Sequence, residues 1–193
     1  MDQQPIITRI FVEKDVINIS RYDLFNSTGN IEEFFIKVLM WGYPTKGRGK
    51  NIDNLLKATN FDKLISILTT SFQEGTITID EIKELLKIDG LGLSTLSKFL
   101  YFMRLKIDSL TTLILDQRVI NALNSGKFSD PGIEKFALLK YENAIDYYYE
   151  YLSFSHELAN QINAAVDQLE MFLFEFAANL KFPKSMECSF FSL

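Results

Sequence analysis

Residues 85–123 read LLKIDGLGLSTLSKFLYFMRLKIDSLTTLILDQRVINAL, and this stretch decides the fold. Apolar residues recur at three-and-four spacing on both sides of Gly90-Leu91-Gly92, which predicts two helices joined by a tight turn. Glycines permit such a turn, and the backbone amides at the start of the second helix are left without helical partners. We therefore predict a helix-hairpin-helix unit over about residues 79–105, with Leu91 anchoring the turn against the core.

A further helix is predicted over about residues 113–124, with Asp116 at its start, 24 residues after Gly92. Aspartate is a preferred N-cap because its carboxylate accepts hydrogen bonds from the amides of the first helical turn. A capping role and a catalytic role are compatible at this position. Upstream, Thr78 and Glu81 have the spacing of a capping box and predict the start of the hairpin's first helix.

Helical patterning continues through the rest of the chain. We predict a helix over residues 31–41, capped by Asn30, and two short helices over residues 51–75 that meet near Thr59 and Asn60. Two long core helices are predicted in the C-terminal third, over residues 133–155 and 156–180. The N-terminal stretch 7–20 alternates enough to predict a strand or an irregular arm.

The whole pattern predicts one all-α domain over residues 1–182, followed by a tail or docking segment over 183–193. A chain of 193 residues is long enough for one hydrophobic core but short for two. Every apolar run is interrupted by Glu or Lys, so no membrane-spanning helix is expected. A single cysteine and the absence of a signal-peptide pattern fit a reducing cytoplasm.

The formal net charge is −5 at pH 7, which argues against a surface that attracts nucleic acid everywhere. A DNA-binding role therefore requires that the cations be concentrated on one face. With one histidine, His156, and one cysteine, a transition-metal site is improbable and no cofactor is expected. We place His156 near a helix start and expect the run Tyr147, Tyr148 and Tyr149 to be partly exposed.

The hairpin, with an aspartate opening the helix that follows, resembles the signature of helix-hairpin-helix DNA glycosylases. Residues 41–51, WGYPTKGRGKN, and 166–176, VDQLEMFLFEF, also look like small bacterial proteins with an 8-oxoguanine glycosylase fold. The resemblance covers nearly the whole chain. It implies a DNA N-glycosylase that excises an oxidised or modified purine such as 8-oxoguanine, with Asp116 stabilising positive charge on the sugar or preparing a nucleophile.

Bifunctional members of that family carry a lysine two residues after the second glycine, where this chain has Ser94. The departure puts AP-lyase activity in doubt unless Lys98, one helical turn further on the same face, supplies the amine. Partial burial in an apolar helix could lower the pKa of Lys98 toward reactivity, but a snorkelling surface lysine fits the sequence equally well.

We also predict contacts with DNA and with a flipped base. The residues predicted to bind DNA are Gly90, Leu91, Gly92, Ser94, Arg118, Lys46, Arg48 and Lys50. Trp41 and Tyr43 could line a base pocket by stacking, although a single tryptophan at a helix end also fits a core position.

Two other interpretations remain open. The fold could serve a catalytically altered nucleobase-, nucleic-acid- or protein-binding component, since some members of the group look like parts of bacterial antiphage operons. Alternatively, the chain could be a helical adaptor that shares only the hairpin by chance. In that case the glycine-rich loop before Asn51 should not face the hairpin turn.

Overall fold

A computed structural model describes residues 4–12, 15–43 and 50–180. Its helices are α1 Gln4–Phe11, α2 Arg21–Phe25, α3 Ile31–Gly42, α4 Asn51–Leu55, α5 Ala58–Glu74, α6 Ile79–Leu85, α7 Leu93–Phe102, α8 Gln117–Leu123, α9 Ala144–Gln161 and α10 Val166–Glu175. Strands β1 Lys106–Ile107 and β2 Leu110–Thr111 form a small antiparallel ribbon, and three short 3-10 turns complete the described chain. The predicted all-α class is confirmed.

Helix α7, the second helix of the hairpin, runs through the centre of the core. All of its residues except Ser94 are buried. Phe99 stacks on Phe35 with ring centroids 4.5 Å apart, and Phe102 meets Trp41 edge to face at 5.2 Å. These contacts pack α7 against α3 and fix its orientation, so any group on α7 is held on a rigid element.

Helix α6 begins as the sequence predicts. The Thr78 hydroxyl accepts from the Glu81 amide, and the Glu81 carboxylate accepts from the Thr78 amide at 2.8 Å. Asn30 likewise caps α3 by accepting from the Glu33 amide. Both predicted caps are confirmed, because a cap is decided by residues three apart in the sequence.

Two buried tyrosines of α9 hold the segment that leads into α8. The Tyr148 hydroxyl donates to the Leu113 carbonyl at 2.8 Å, and the Tyr151 hydroxyl donates to the Ile114 carbonyl at 3.1 Å. Burial raises the pKa of both phenols, so they stay protonated and keep donating. The backbone two and three residues before Asp116 is therefore tied to the core.

Several local predictions were wrong. In the stretch 7–20, predicted as a strand or irregular arm, residues 7–11 belong to helix α1, and residues 15–20 are irregular. The two long C-terminal helices do not divide near residue 155, because α9 runs unbroken to Gln161 and places His156 in mid-helix. Residues 133–143 form two 3-10 turns instead of the first part of a long helix.

Other boundaries moved less. Helix α7 ends at Phe102 instead of near residue 106, because residues 106 and 107 pair with β2. Of the tyrosine run, Tyr148 is fully buried and Tyr149 is exposed, in line with the prediction that part of the run reaches solvent. No helix in the described part of the chain is long and apolar enough to cross a membrane. The predicted tail 183–193 lies outside the described residues.

Candidate active site

Asp116 is the N-cap of α8, as predicted. Its backbone is extended, and its Oδ1 accepts from the amides of Arg118 at 2.9 Å and Val119 at 3.2 Å. These bonds orient the carboxylate at the positive end of the α8 dipole. The second oxygen, Oδ2, points toward Lys98, so the carboxylate caps the helix with one oxygen and faces an amine with the other.

Lys98 reaches back along α7 to the position of Ser94. Its Nζ donates to the Ser94 carbonyl at 2.8 Å and approaches the Ser94 hydroxyl at 3.0 Å. Side chains in helices point toward the N-terminus, which is why a lysine one turn later can bring its amine to this level. The amine therefore lies beside Ser94, two residues after the second hairpin glycine.

The amine and the carboxylate face each other across a short gap. Lys98 Nζ lies 4.0 Å from Asp116 Oδ2, and the two side chains are 10% and 15% exposed. Burial lowers the pKa of Lys98, and the charge of Asp116 counteracts part of that effect. Lys98 is not a surface lysine, because its side chain is largely buried and its amine is bound by the Ser94 carbonyl. The pair keeps limited contact with solvent.

The end of α3 shapes the wall beside this pair. A side chain at Gly42 would lie 3.3 Å from Cδ of Lys98, so the glycine lets the lysine stem pass close to the backbone. The next residue, Tyr43, hydrogen-bonds through its hydroxyl to Thr95 on α7. The last turn of α3 thus packs directly on the helix that carries the amine.

Both hairpin glycines are required by close neighbours. Gly90 has a φ of +88°, and a Cβ there would lie 2.1 Å from the Asn51 carbonyl oxygen. A Cβ at Gly92 would lie 2.2 Å from the Tyr141 hydroxyl. Leu91 is buried and its amide donates to the Ile88 carbonyl at 3.0 Å, so Leu91 supports the turn instead of offering a free amide.

Of the four cationic side chains predicted to bind DNA, two belong to the described residues and two do not. Lys50 is exposed just before α4, whose first residue touches Gly90. Arg118 is exposed in the first turn of α8, with its guanidinium 4.7 Å above the Phe174 ring. Lys46 and Arg48 lie outside the described residues. The described residues on either side lie beside the hairpin: Tyr43 contacts Thr95, and Lys50 precedes Asn51, whose carbonyl meets Gly90.

Trp41, one of the two predicted base-pocket residues, lines a cavity to which Tyr43 does not contribute. The cavity, of about 420 Å³, is bounded by Trp41, Met40, Phe11 and the segment 15–19. Tyr43 instead contacts Thr95. Neither Lys98 nor Asp116 lines this cavity or those of about 250 to 470 Å³ beside α9 and α10. Among the described residues, no cluster of histidine, cysteine and carboxylate side chains could hold a metal ion.

Sequence reasoning missed an ion pair next to the site. Arg21 and Glu170 form a two-pronged salt bridge at 2.7 and 3.2 Å, and the Glu170 side chain is completely buried. No spacing rule relates two residues that lie 149 positions apart. One signal was available: a glutamate on the apolar side of α10, between Leu169 and Met171, is uncommon without a partner.

The hairpin and the aspartate-capped helix behind it define an all-helical domain of the helix-hairpin-helix DNA glycosylase superfamily. Residues 3–174 match the model of the family described as "Putative 8-oxoguanine DNA glycosylase OGG-like protein", and the chain belongs to this family. The matched span includes Lys98, Asp116, Arg21 and Glu170. Comparison with curated proteins and with solved structures gave no match.

Proposed function

We propose that this protein is a DNA N-glycosylase that removes an oxidised or otherwise modified purine, such as 8-oxoguanine. The observation that carries the proposal is the buried pair of Lys98 and Asp116, with 4.0 Å between amine and carboxylate, on the two helices that follow the hairpin turn. Family membership supports DNA as the substrate class.

In this proposal the two side chains share the chemistry at the sugar. The neutral Lys98 amine attacks C1′ of the damaged nucleotide, the bond from C1′ to the base breaks, and the base leaves with the bonding electrons and takes up a proton. Asp116 Oδ2 stabilises the positive charge that develops on the deoxyribose. Loss of the amine's proton and ring opening then give a Schiff base, from which strand cleavage can follow.

Burial of Lys98 favours this role. An amine attacks only when it is neutral, and desolvation lowers the pKa of Lys98 from its ordinary value of 10.5. The bond to the Ser94 carbonyl holds the amine at one place on α7. Without a reactive amine, Asp116 could still direct water to C1′, which would give a monofunctional glycosylase.

Phosphate binding is assigned to the hairpin face. Gly92 is the N-cap of α7 and has no side chain that could accept from the backbone amides of the first helical turn. These amides, including that of Ser94, are therefore suited to bind a phosphate. Lys50 and Arg118, together with Lys46 and Arg48, would add the charge that an overall acidic protein needs on its DNA-binding face.

The cavity beside Trp41 is the proposed site for the extruded base. An indole face stacks on any purine, and Trp41 precedes Gly42, which touches the Lys98 stem. The lining also includes Asn18, an amide side chain that can both donate to and accept from a base edge.

Release of free base tests the proposal. Wild-type protein and Asp116→Asn are incubated with duplex and single-stranded DNA that contain 8-oxoguanine, and the freed base is quantified. We expect release by the wild type and at least a hundredfold slower release by the variant, because asparagine keeps the shape but not the charge. Equal release by both proteins would rule out Asp116. DNA binding without base release would support the non-catalytic alternative.

A further inference from the structure

The Arg21–Glu170 ion pair joins the two ends of the described chain behind the candidate active site. Arg21 begins α2, and Glu170 lies in α10, which packs against α8. The guanidinium meets both carboxylate oxygens, at 2.7 and 3.2 Å, and the Glu170 side chain has no exposed surface. A charge pair buried to this degree is costly to desolvate, so its hydrogen bonds must be well formed.

Aromatic groups fix the guanidinium in a single place. Its Cζ lies 5.5 Å from the Trp41 ring centre and 5.4 Å from that of Tyr101, and its Nη1 also donates to the Tyr101 hydroxyl at 3.3 Å. Arg21 therefore has cation–π partners in addition to its carboxylate partner. It cannot leave Glu170 without giving up all of these contacts.

The same structural elements bring this pair next to the reactive lysine. Tyr101, which binds Arg21, lies three residues after Lys98 and so on the same side of α7. Trp41, which also contacts Arg21, precedes the Gly42 that packs against the Lys98 stem. On the other side, α10 carries Glu170 and packs against the helix that Asp116 begins.

Two cations and two carboxylates thus converge in a largely buried volume. The charged groups acting on the Lys98 amine are Asp116 from the start of α8, Glu170 from α10 and Arg21 from α2. Burial lowers the pKa of Lys98, the two carboxylates raise it, and Arg21 lowers it again. The uncharged Tyr101 and Tyr43 hydroxyls face Arg21 and Thr95.

We propose that Arg21 and Glu170 are positioning residues that set the charge state of the Lys98 amine. By holding Glu170 in a two-pronged bond, Arg21 prevents this carboxylate from taking the Lys98 ammonium as its own partner. The amine then stays beside Ser94 and Asp116, next to an Arg21–Glu170 pair whose two charges cancel. This inference deepens the proposed function, since it assigns a control of the same site.

Titration of Lys98 itself tests the inference. Protein labelled with ¹³C-lysine is titrated, and the Lys98 Cε signal is followed by NMR after assignment with Lys98→Gln. In Glu170→Gln the amine faces an uncompensated arginine, so its pKa falls; in Arg21→Gln it faces an uncompensated carboxylate, so its pKa rises. Each shift should be about one unit, as expected for a unit charge beyond contact distance in a partly buried site.

Two further variants separate this role from simple support of the fold. Arg21→Met/Glu170→Met removes both charges and should return the Lys98 pKa to within a few tenths of the wild-type value. Glu150→Gln removes a carboxylate from the exposed pair with Lys135 and should leave Lys98 unchanged. A purely structural pair would shift Lys98 in the same direction in both single variants, or in neither, and either result would overturn the inference.

The measurement requires no DNA, so its outcome is independent of base release. If the Lys98 pKa shifts in opposite directions in the two single variants but the protein releases no base, the inference holds and the proposed function is wrong. If the protein releases base but the Lys98 pKa is unchanged in both variants, the proposed function holds and the inference is wrong. Where activity is present, the pH profile of base release should move in the same direction as the Lys98 titration in each variant.

Discussion

Asp116 directs one carboxylate oxygen to the backbone of α8 and the other to Lys98. Oδ1 accepts two amide hydrogens at 2.9 and 3.2 Å, while Oδ2 lies 4.0 Å from the Lys98 amine. The capping bonds hold the carboxylate still, so the charge that faces the amine is preorganised. Capping and catalysis therefore make different demands on the same residue, and different substitutions separate them.

Asp116→Ala should destabilise the protein by about 1 kcal/mol, because the amides at the start of α8 lose their acceptor. Asp116→Asn should cost less than Asp116→Ala, since asparagine keeps the cap and loses only the charge that faces Lys98. Denaturant unfolding of both variants measures the difference. Equal loss of stability in the two would show that the carboxylate charge, and not the cap, stabilises this region.

Gly92→Ala should cost about 1 kcal/mol, because its Cβ would lie 2.2 Å from the Tyr141 hydroxyl, and this exposed side chain can partly move aside. Adding Tyr141→Phe removes that oxygen and should recover most of the loss, since the nearest remaining ring atom is 3.3 Å away. Gly90→Ala is the matched control: it meets a backbone carbonyl and a positive φ, so Tyr141→Phe should not rescue it. Thermal unfolding of the single and double variants tests this pattern.

DNA affinity should depend on Lys50 and Arg118. Replacing either with glutamine should weaken binding to any duplex sequence. The slope of the logarithm of the binding constant against the logarithm of the salt concentration should become shallower by about one, because each side chain would neutralise one phosphate. Lys135→Gln serves as the control, because it removes an exposed cation that pairs with Glu150 of α9. Salt titrations that show the same slope for all four proteins would place the DNA elsewhere.

The single tryptophan gives a direct signal for base binding. Free 8-oxoguanine should quench Trp41 fluorescence saturably, because the base would stack on the indole in the cavity. Trp41→Phe should raise KM for damaged DNA about threefold, because the smaller ring keeps only part of a stacking contact worth about 1 to 3 kcal/mol. Tyr43→Phe, outside the cavity, should leave both properties unchanged. No quenching, with KM unaffected in Trp41→Phe, would exclude this pocket.

The sequence predicts what local rules determine. The caps at Thr78 and Asp116, the hairpin between them and the position of Lys98 one turn after Ser94 all depend on residues within a few positions of each other. These are the features for which helix periodicity and capping are informative. The matched span of the family model, residues 3–174, includes all of these elements.

What the sequence could not predict depends on tertiary packing. Alternation in residues 7–20 suggested a strand or an irregular arm, but residues 7–11 belong to helix α1, which packs against α3. Helix α9 continues past His156 to Gln161, because Ser155 and Ala159 on either side of His156 are buried. The Arg21–Glu170 pair joins distant parts of the chain, and no periodic pattern connects them.

Borohydride trapping on DNA containing 8-oxoguanine tests the central claim, that the Lys98 amine acts at the sugar, most directly. Wild-type protein should form a covalent adduct that maps to Lys98 and is lost in Lys98→Gln. Because burial lowers the pKa of Lys98 and the amine reacts when neutral, the trapping rate should rise with pH and reach half its maximum below pH 10.5. An adduct of equal yield in Lys98→Gln would contradict the account.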